Sequence, residues 1–511
     1  MRMSTDEQFD RLASSSTALA DLKGNSVRSA AYTAAASIAS FVIRIGSTMV
    51  LARLVLPEHF GLLAMVAAVV AFAEQFRDLG LSTATIQAET LTRQQVSNLF
   101  WINVSCGGVI TVVVAASAPV LAWFYNDERL LPVTLAIATT PFFGGLAVQH
   151  QALLSRQLKL GRTSSIRLIS SLLSVLLAIG LAMAGAGYWA LVAREVSRSF
   201  VVTVGMWLSC RWIPSRPARA DGMRKIIGLG GNLTVANLLG SLVENVDKVL
   251  LGRLFGPVAT GFYRQAQLLV TAPMVQVLDP LFQVVVPGLS SLQKNPRRYR
   301  AYFGKFVSVI SLTTMPMSVL LGVYAREFTL ILLGEQWLGA EELFRILCLT
   351  VFLTPSLLTA HWVLITLGRG QQYLILRVVE YIVSLGLISV GILFGAPGVA
   401  AAFPLTAALL LVPTLWYCFR DSPVNQKVFW AAVAKPTVSS MVLTGALLSI
   451  NEAFPLSHSV LAVLRGGAMG VTVYLACFAL LPGGFRELQA IVTDVLGAFR
   501  RKMVSPNEVS S

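Results

Sequence analysis

The chain has 511 residues, is 55% hydrophobic and only 13% charged, and has a mean hydropathy of +0.70. Soluble domains carry about 25% charged residues, so most of this surface must face something apolar, and a water-soluble globular protein is excluded. The net charge of +15 does not indicate nucleic acid, because the basic residues sit between apolar runs and form no aromatic-studded face.

Read in order, the chain opens with a polar stretch, 1–25, that lacks an apolar signal-peptide core. About fourteen apolar segments follow, each near the roughly 20 residues that span a bilayer. They are Val27–Leu54, Phe60–Ile86, Val96–Tyr125, Leu130–Leu153, Ile166–Ala184, Tyr188–Cys210, Ile226–Leu254, Gly261–Leu289, Tyr302–Tyr324, Leu343–Leu367, Tyr373–Phe394, Gly398–Phe419, Val428–Ile450 and Val460–Leu481. Barrel strands alternate polar and apolar residues, whereas these runs are uniformly apolar, so the expected class is an all-α polytopic membrane protein.

One motif recurs. LARLVLPEHFG at Leu51–Gly61 returns as LGRLFGPVATG at Leu251–Gly261, matching at Leu51/Leu251, Arg53/Arg253, Leu54/Leu254, Pro57/Pro257 and Gly61/Gly261. A turn repeated about 200 residues on predicts two pseudo-symmetric six-helix bundles, 26–210 and 226–420, joined by a basic linker, 211–225. Two additional helices follow at 421–482, then an amphipathic, basic tail at 483–511. In that tail Phe485, Leu488, Val492, Val495, Leu496 and Phe499 recur at helical spacing before Arg500, Arg501 and Lys502.

Alternate loops differ in charge. One side holds Arg93, Arg156, Lys159, Arg162, Arg211, Arg216, Arg219, Lys294, Arg297, Arg298, Arg300, Arg369, Arg420 and Lys427, while the other holds Arg53, Arg129, Arg253 and Arg326. The positive-inside rule then puts both termini in the cytoplasm. The outward loops are short and leave no room for a soluble catalytic domain. The longest, Ala325–Glu342, contains Trp337 and is expected to dip into the interface.

Ionisable residues inside apolar spans are costly and point to function. The spans carry Arg44; Glu74, Arg77 and Asp78; Arg194, Glu195 and Arg198; Glu244, Asp247 and Lys248; Arg264 and Asp279; and Arg377 and Glu380. Spacing lets Glu74/Arg77, Glu195/Arg198, Glu244/Lys248 and Arg377/Glu380 neutralise one another on one helix face. It leaves Arg44, Arg194, Arg264, Asp78, Asp247 and Asp279 without a local partner. Arg44, Arg77, Arg194, Arg264 and Arg377 are therefore expected to line a substrate cavity, since guanidinium forks match phosphate oxygens. Asp78, Glu244, Asp247, Asp279 and Glu380 are the expected ion-coupling carboxylates. His361, alone in its span, reads either as a packing residue or as a proton sensor. Cys106, Cys210, Cys348, Cys418 and Cys477 are isolated and read as packing residues, and no motif calls for a metal or other cofactor.

Several stretches resemble Wzx-type, WzxC-like polysaccharide flippases. They are FGLLAMVAAVVAFAEQFRDLGLSTATIQ (Phe60–Gln87), LFWINV (Leu99–Val104), APVLAWFYNDERL (Ala118–Leu130), GYWALVA (Gly187–Ala193), ENVDKVLLGRLFGPVATGFYRQAQLL (Glu244–Leu269), VVVPGLSSLQ (Val284–Gln293) and LLGEQWLGA (Leu332–Ala340). The resemblance implies the multidrug/oligosaccharidyl-lipid/polysaccharide exporter fold, with alternating access at a central cavity. It further implies a transporter, not an enzyme, flipping an undecaprenyl-diphosphate-linked oligosaccharide across a bacterial inner membrane. Expected partners are that lipid-linked oligosaccharide, membrane lipids, and a polysaccharide polymerase and export complex; nucleic acid is not among them. The alternatives are a drug/cation antiporter, which would favour a carboxylate-rich cavity, and a membrane polymerase or ligase, which would need a large outward loop.

Overall fold

The computed structural model describes the backbone of residues 19–490, apart from 79, 89–90, 158, 220–222 and 457, together with 493; side chains are described from residue 35, apart from 87, 160 and 223–244. The polar N-terminal stretch to residue 18, the side chain of Glu244 and most of the amphipathic tail lie outside the described residues.

The described residues are mostly helical and contain no strand. Its α-helices are α1 (Leu19–Leu54), α2 (Pro57–Asp78), α3 (Leu81–Gln87), α4 (Arg93–Tyr125), α5 (Leu130–Ile137), α6 (Thr140–Arg156), α7 (Leu160–Met183) and α8 (Tyr188–Cys210). Then follow α9 (Met223–Ser291), α10 (Pro296–Val323), α11 (Ala325–Leu332), α12 (Glu341–Thr366), α13 (Gly370–Gly391), α14 (Gly395–Phe419), α15 (Gln426–Ala453) and α16 (Ser459–Leu480). Every expected apolar segment falls on these helices. Among the described residues, eleven helical stretches are long and apolar enough to cross a membrane, and Asn245–Ser291 and Gly370–Phe419, at 47 and 50 residues, are each long enough to cross twice.

Local chemistry sets the helix ends. Thr92 starts α4 with a capping box: its hydroxyl accepts the Gln95 N–H at 3.2 Å, and the Gln95 side chain accepts the Thr92 N–H at 2.9 Å. Asn126 ends α4 in the left-handed region at φ 54°, a conformation asparagine tolerates. Asn295 and Asn425 cap α10 and α15 through the Arg298 and Val428 amides. Gly256, at φ 77°, breaks α9 into two arms where the repeated motif turns.

The chain forms two compact units. The first comprises Met1–Gln265, Leu332–Trp337 and Ile388–Ala396. In it α4 packs on α2 and α6, and α8 packs on α6 and α7. Its buried centre includes Phe100, Leu153, Met206 and Trp212. Trp212 belongs to the expected linker, which is strapped down: Asn98, Gln94 and Trp101 donate to the Ala218, Arg216 and Ser215 carbonyls at 2.6, 2.9 and 2.9 Å. The second unit comprises Ala266–Ile331, Leu338–Leu387 and Pro397–Ser511. There α10 packs on α12, α15 and α16 around Tyr299, Phe303, Trp362 and Phe429.

Both copies of the repeated turn lie in the first unit and meet. A Cβ on Gly61 would overlap the Pro257 carbonyl oxygen, and a Cβ on Gly261 would overlap the Pro57 carbonyl oxygen. Trp337 closes over them, fully buried. Its indole N–H donates to the Ala52 carbonyl at 2.8 Å, and its rings pack edge-on against Phe60 and Phe262.

Candidate functional site

Intramembrane charge gathers in each unit separately. In the first, α8 presents Arg194, Glu195 and Arg198, with Glu195 bridging Arg194 at 3.0 Å and Arg198 at 3.2 Å. Asp247 on α9 is fully buried and well satisfied. It accepts the Tyr263 hydroxyl at 2.7 Å, the Lys248 ammonium at 3.2 Å and the Lys248 amide at 2.7 Å. Beside Tyr263, the half-buried Arg264 guanidinium makes no hydrogen bond or ion pair among the described residues; Glu195, Arg194 and Asp247 are the charged groups close enough to act on it. Arg167 on α7, which spacing did not single out, lies close enough to Arg198 for the two cations to repel each other.

In the second unit a buried relay joins α12 and α13. His361 Nε2 lies 2.7 Å from Glu380 Oε1, and the other carboxylate oxygen accepts from Arg377 at 2.9 Å. Arg377 also donates to the Tyr381 hydroxyl at 2.7 Å, and Tyr373 meets the His361 ring edge-on. His361 and Glu380 are buried, and the second imidazole nitrogen, Nδ1, has no partner among the described residues. The histidine and glutamate are nineteen residues apart on different helices, so no spacing rule within one helix could have linked them.

The other expected site residues divide by partner. Arg77 pairs with Glu74 at 3.1 Å and lies against Gly144. Asp78 is not partnerless: it takes the Ser82 amide at 2.9 Å and the Ser82 hydroxyl, fastening the start of α3. Arg194 and Asp247, also expected to lack partners, find them at the adjacent residue and across sixteen residues. The i,i+3 and i,i+4 count cannot see contacts at either separation. Lys248, expected to pair with Glu244, contacts Asp247; Glu244 lies outside the described side chains. Arg44 is exposed, stacks 5.8 Å over Phe41, and its guanidinium makes no hydrogen bond or ion pair among the described residues. Asp279 is exposed and makes no hydrogen bond or ion pair among the described residues. Of the six charges that spacing left alone, Arg44, Arg264 and Asp279 have no hydrogen-bonded or ion-paired side-chain partner among the described residues.

A family model described as "Polysaccharide biosynthesis protein" matches residues 50–342, and the chain belongs to that family of polytopic membrane proteins. Within it, the chain is 27% identical over 303 residues to the teichuronic acid biosynthesis protein TuaB of Bacillus subtilis (strain 168), spanning 59% of this chain and 62% of that relative. It is 23% identical to the lipopolysaccharide biosynthesis protein WzxC of Escherichia coli (strain K12), over 64% of this chain and 67% of the relative. It is also 21% identical to the succinoglycan biosynthesis transport protein ExoT of Rhizobium meliloti (strain 1021), over 85% and 89%. The fold is shared with the lipid II flippase MurJ, at a TM-score of 0.74 and 12% identity, over 89% of this chain and 99% of that one. A multidrug-resistance MATE transporter of the MOP superfamily superposes at 0.60 and 14% identity, over 74% and 94%.

Proposed function

We propose that this protein flips an undecaprenyl-diphosphate-linked oligosaccharide repeat unit across a bacterial inner membrane, for exopolysaccharide, capsule or lipopolysaccharide synthesis, by ion-coupled alternating access. The observation that carries the proposal is Arg264, a half-buried guanidinium in a membrane span bonded to nothing among the described residues. Inserting such a charge costs several kcal/mol unless it is paired or wetted. A diphosphate supplies the missing acceptors, and a water-filled path for its head group supplies the wetting. Relatives named for teichuronic acid, lipopolysaccharide and succinoglycan synthesis support a carrier-linked polysaccharide precursor as cargo.

In this reading Arg264 and Arg194 attract the diphosphate, with Arg44 at the membrane-facing approach. The His361–Glu380–Arg377 relay is the coupling element, because it is a buried cluster of ionisable side chains inside the spans, with an imidazole held 2.7 Å from a carboxylate. The packed Pro57 and Pro257 turns close the outward end while the inward path is open. The positive-inside pattern supports two cytoplasmic termini, so reporters fused after Arg219 and Arg298 should read cytoplasm and one at Asn126 the outside.

The test is export. Arg264→Ala should abolish polymer export while leaving membrane insertion intact, and Arg264→Lys should restore only part, because it keeps the charge but loses the fork. Full export by Arg264→Ala would remove the residue from substrate binding.

A further inference from the structure

The second unit contains a 520 Å³ cavity that the transport reading does not use. Three helical faces form it. From α10 come Arg300, Gly304 and Lys305; from α15, Ala431 and Lys435; and from the segment after α16, Glu487. The small side chains leave the space: even a Cβ on Gly304 would come within 3.1 Å of Val428. The charges stand around that apolar hollow, three cations against one carboxylate.

The carboxylate is already committed. Glu487 takes the Lys435 ammonium at 2.7 Å on one oxygen and the Ser308 hydroxyl on the other, which ties the post-α16 segment to the wall. Arg300 uses only Nε, on the Pro296 carbonyl of its own helix at 3.3 Å, and its two terminal nitrogens have no partner among the described residues. Both α10 and α15 begin at the end that carries the basic residues Lys294, Arg297, Arg298, Arg420 and Lys427. Arg300 lies in the second turn of α10, and Lys435 nine residues after the start of α15. At about 1.5 Å per residue the cavity therefore begins at the membrane boundary and runs roughly 10 Å inward.

We propose that this cavity binds one anionic phospholipid. Its phosphate sits between Arg300, Lys305 and Lys435, and the glycerol and ester carbons lie on Gly304 and Ala431 at the same depth. A basic pocket between helices at the interfacial level offers a phosphodiester what water offers it, and offers the chain beneath it what the bilayer offers. A zwitterionic lipid brings its own cation to the same place and gains less. Free inorganic phosphate meets the cations but leaves the apolar hollow wet.

The test uses the full-length protein, purified in detergent and stripped of lipid. Phosphatidylglycerol, phosphatidylcholine and inorganic phosphate are titrated in turn, with retained lipid read by native mass spectrometry and stability by thermal unfolding. The expected result is one phosphatidylglycerol retained per chain with a rise in Tm, and neither effect from phosphatidylcholine or phosphate at equal concentration. The double variant Arg300→Ala/Lys305→Ala should weaken retention roughly thirtyfold, two interfacial cations' worth. Ala431→Phe keeps every charge and fills the hollow, so it should also abolish retention, and it decides the matter alone if the double variant does not purify. Equal stabilisation by inorganic phosphate would make this a free-anion site and overturn the lipid. Equal retention of both lipids, or undiminished retention by Ala431→Phe, would overturn the site.

Discussion

Gly61 and Gly261 hold each other's turns in place. Each hydrogen atom where a side chain would stand faces the other motif's proline carbonyl, Gly61 against Pro257 and Gly261 against Pro57. The two copies of a motif about 200 residues apart in sequence thus meet in reciprocal contact. Glycine is required on both sides because backbone, not a yielding side chain, occupies the space. In the transport cycle proposed here this contact must open for the cargo to leave.

Gly61→Ala should therefore wedge the turns apart. Overpacking of this kind costs about 1–3 kcal/mol, enough to shift a two-state equilibrium roughly tenfold. Thiol labelling of Val55→Cys, a position only 2% exposed, should rise correspondingly in the Gly61→Ala background. Labelling unchanged from the Gly61 parent would show that the contact does not govern the opening.

Tyr263→Phe should destabilise the first unit without altering substrate chemistry. It removes a 2.7 Å donor to a fully buried carboxylate, and hydrogen bonds to charged groups contribute about 1.5–3 kcal/mol. Thermal unfolding checks the loss. A neutral effect would mean that Asp247 is held by Lys248 alone.

His361→Asn and Glu380→Gln should separate coupling from folding. Both replacements keep hydrogen-bonding groups at a 2.7 Å contact while removing the imidazole or the carboxylate. Transport by either variant should slow at least about tenfold, with little change in unfolding temperature or substrate preference. A transport rate equal to the parent's would assign the relay a purely structural role.

The turn after α4 makes a smaller claim, in acid. Burial would raise the Asp127 carboxyl, but hydrogen bonds from the Arg129 side chain and amide outweigh it and leave its pKa lowered from 3.8. A depressed carboxylate contributes stability that is present above its unfolded pKa and is lost as pH falls through the folded value. Unfolding temperature should accordingly not vary with pH through this pair near neutrality, where its contribution is fully present, and Asp127→Asn should flatten part of the decline below about pH 4. Because Arg129 is 40% exposed, the effect is screened and small.

Much of the fold was legible because a bilayer demands a simple signal. Apolar length located the helices, and proline marked the repeated turns at Pro57 and Pro257, the second of which breaks at the neighbouring Gly256. The charge pairs Glu74/Arg77, Glu195/Arg198 and Arg377/Glu380 followed from helical spacing alone. Contacts across helices were not legible. Nothing local in TAHWVL announces that His361 meets Glu380, and nothing around Asp247 announces Tyr263. Asp78 looked like a lone intramembrane carboxylate because its partner is a serine, Ser82, which a count of charges passes over. Nothing local in the loop Ala325–Glu342 announces that Trp337 packs against the Ala52 carbonyl and the Phe60 and Phe262 rings, distant in sequence.

The most direct test of the account is lipid translocation by the purified full-length chain in proteoliposomes. The probe is an undecaprenyl-diphosphate oligosaccharide whose sugar is fluorescently labelled, and the reading is the fraction of label reachable by a membrane-impermeant quencher over time. The account predicts rapid transbilayer exchange with the parent chain, a loss of at least about tenfold in rate with Arg264→Ala, the equivalent of one charge-assisted contact, and partial recovery with Arg264→Lys. Exchange no faster than in protein-free vesicles, or exchange indifferent to Arg264→Ala, would contradict it.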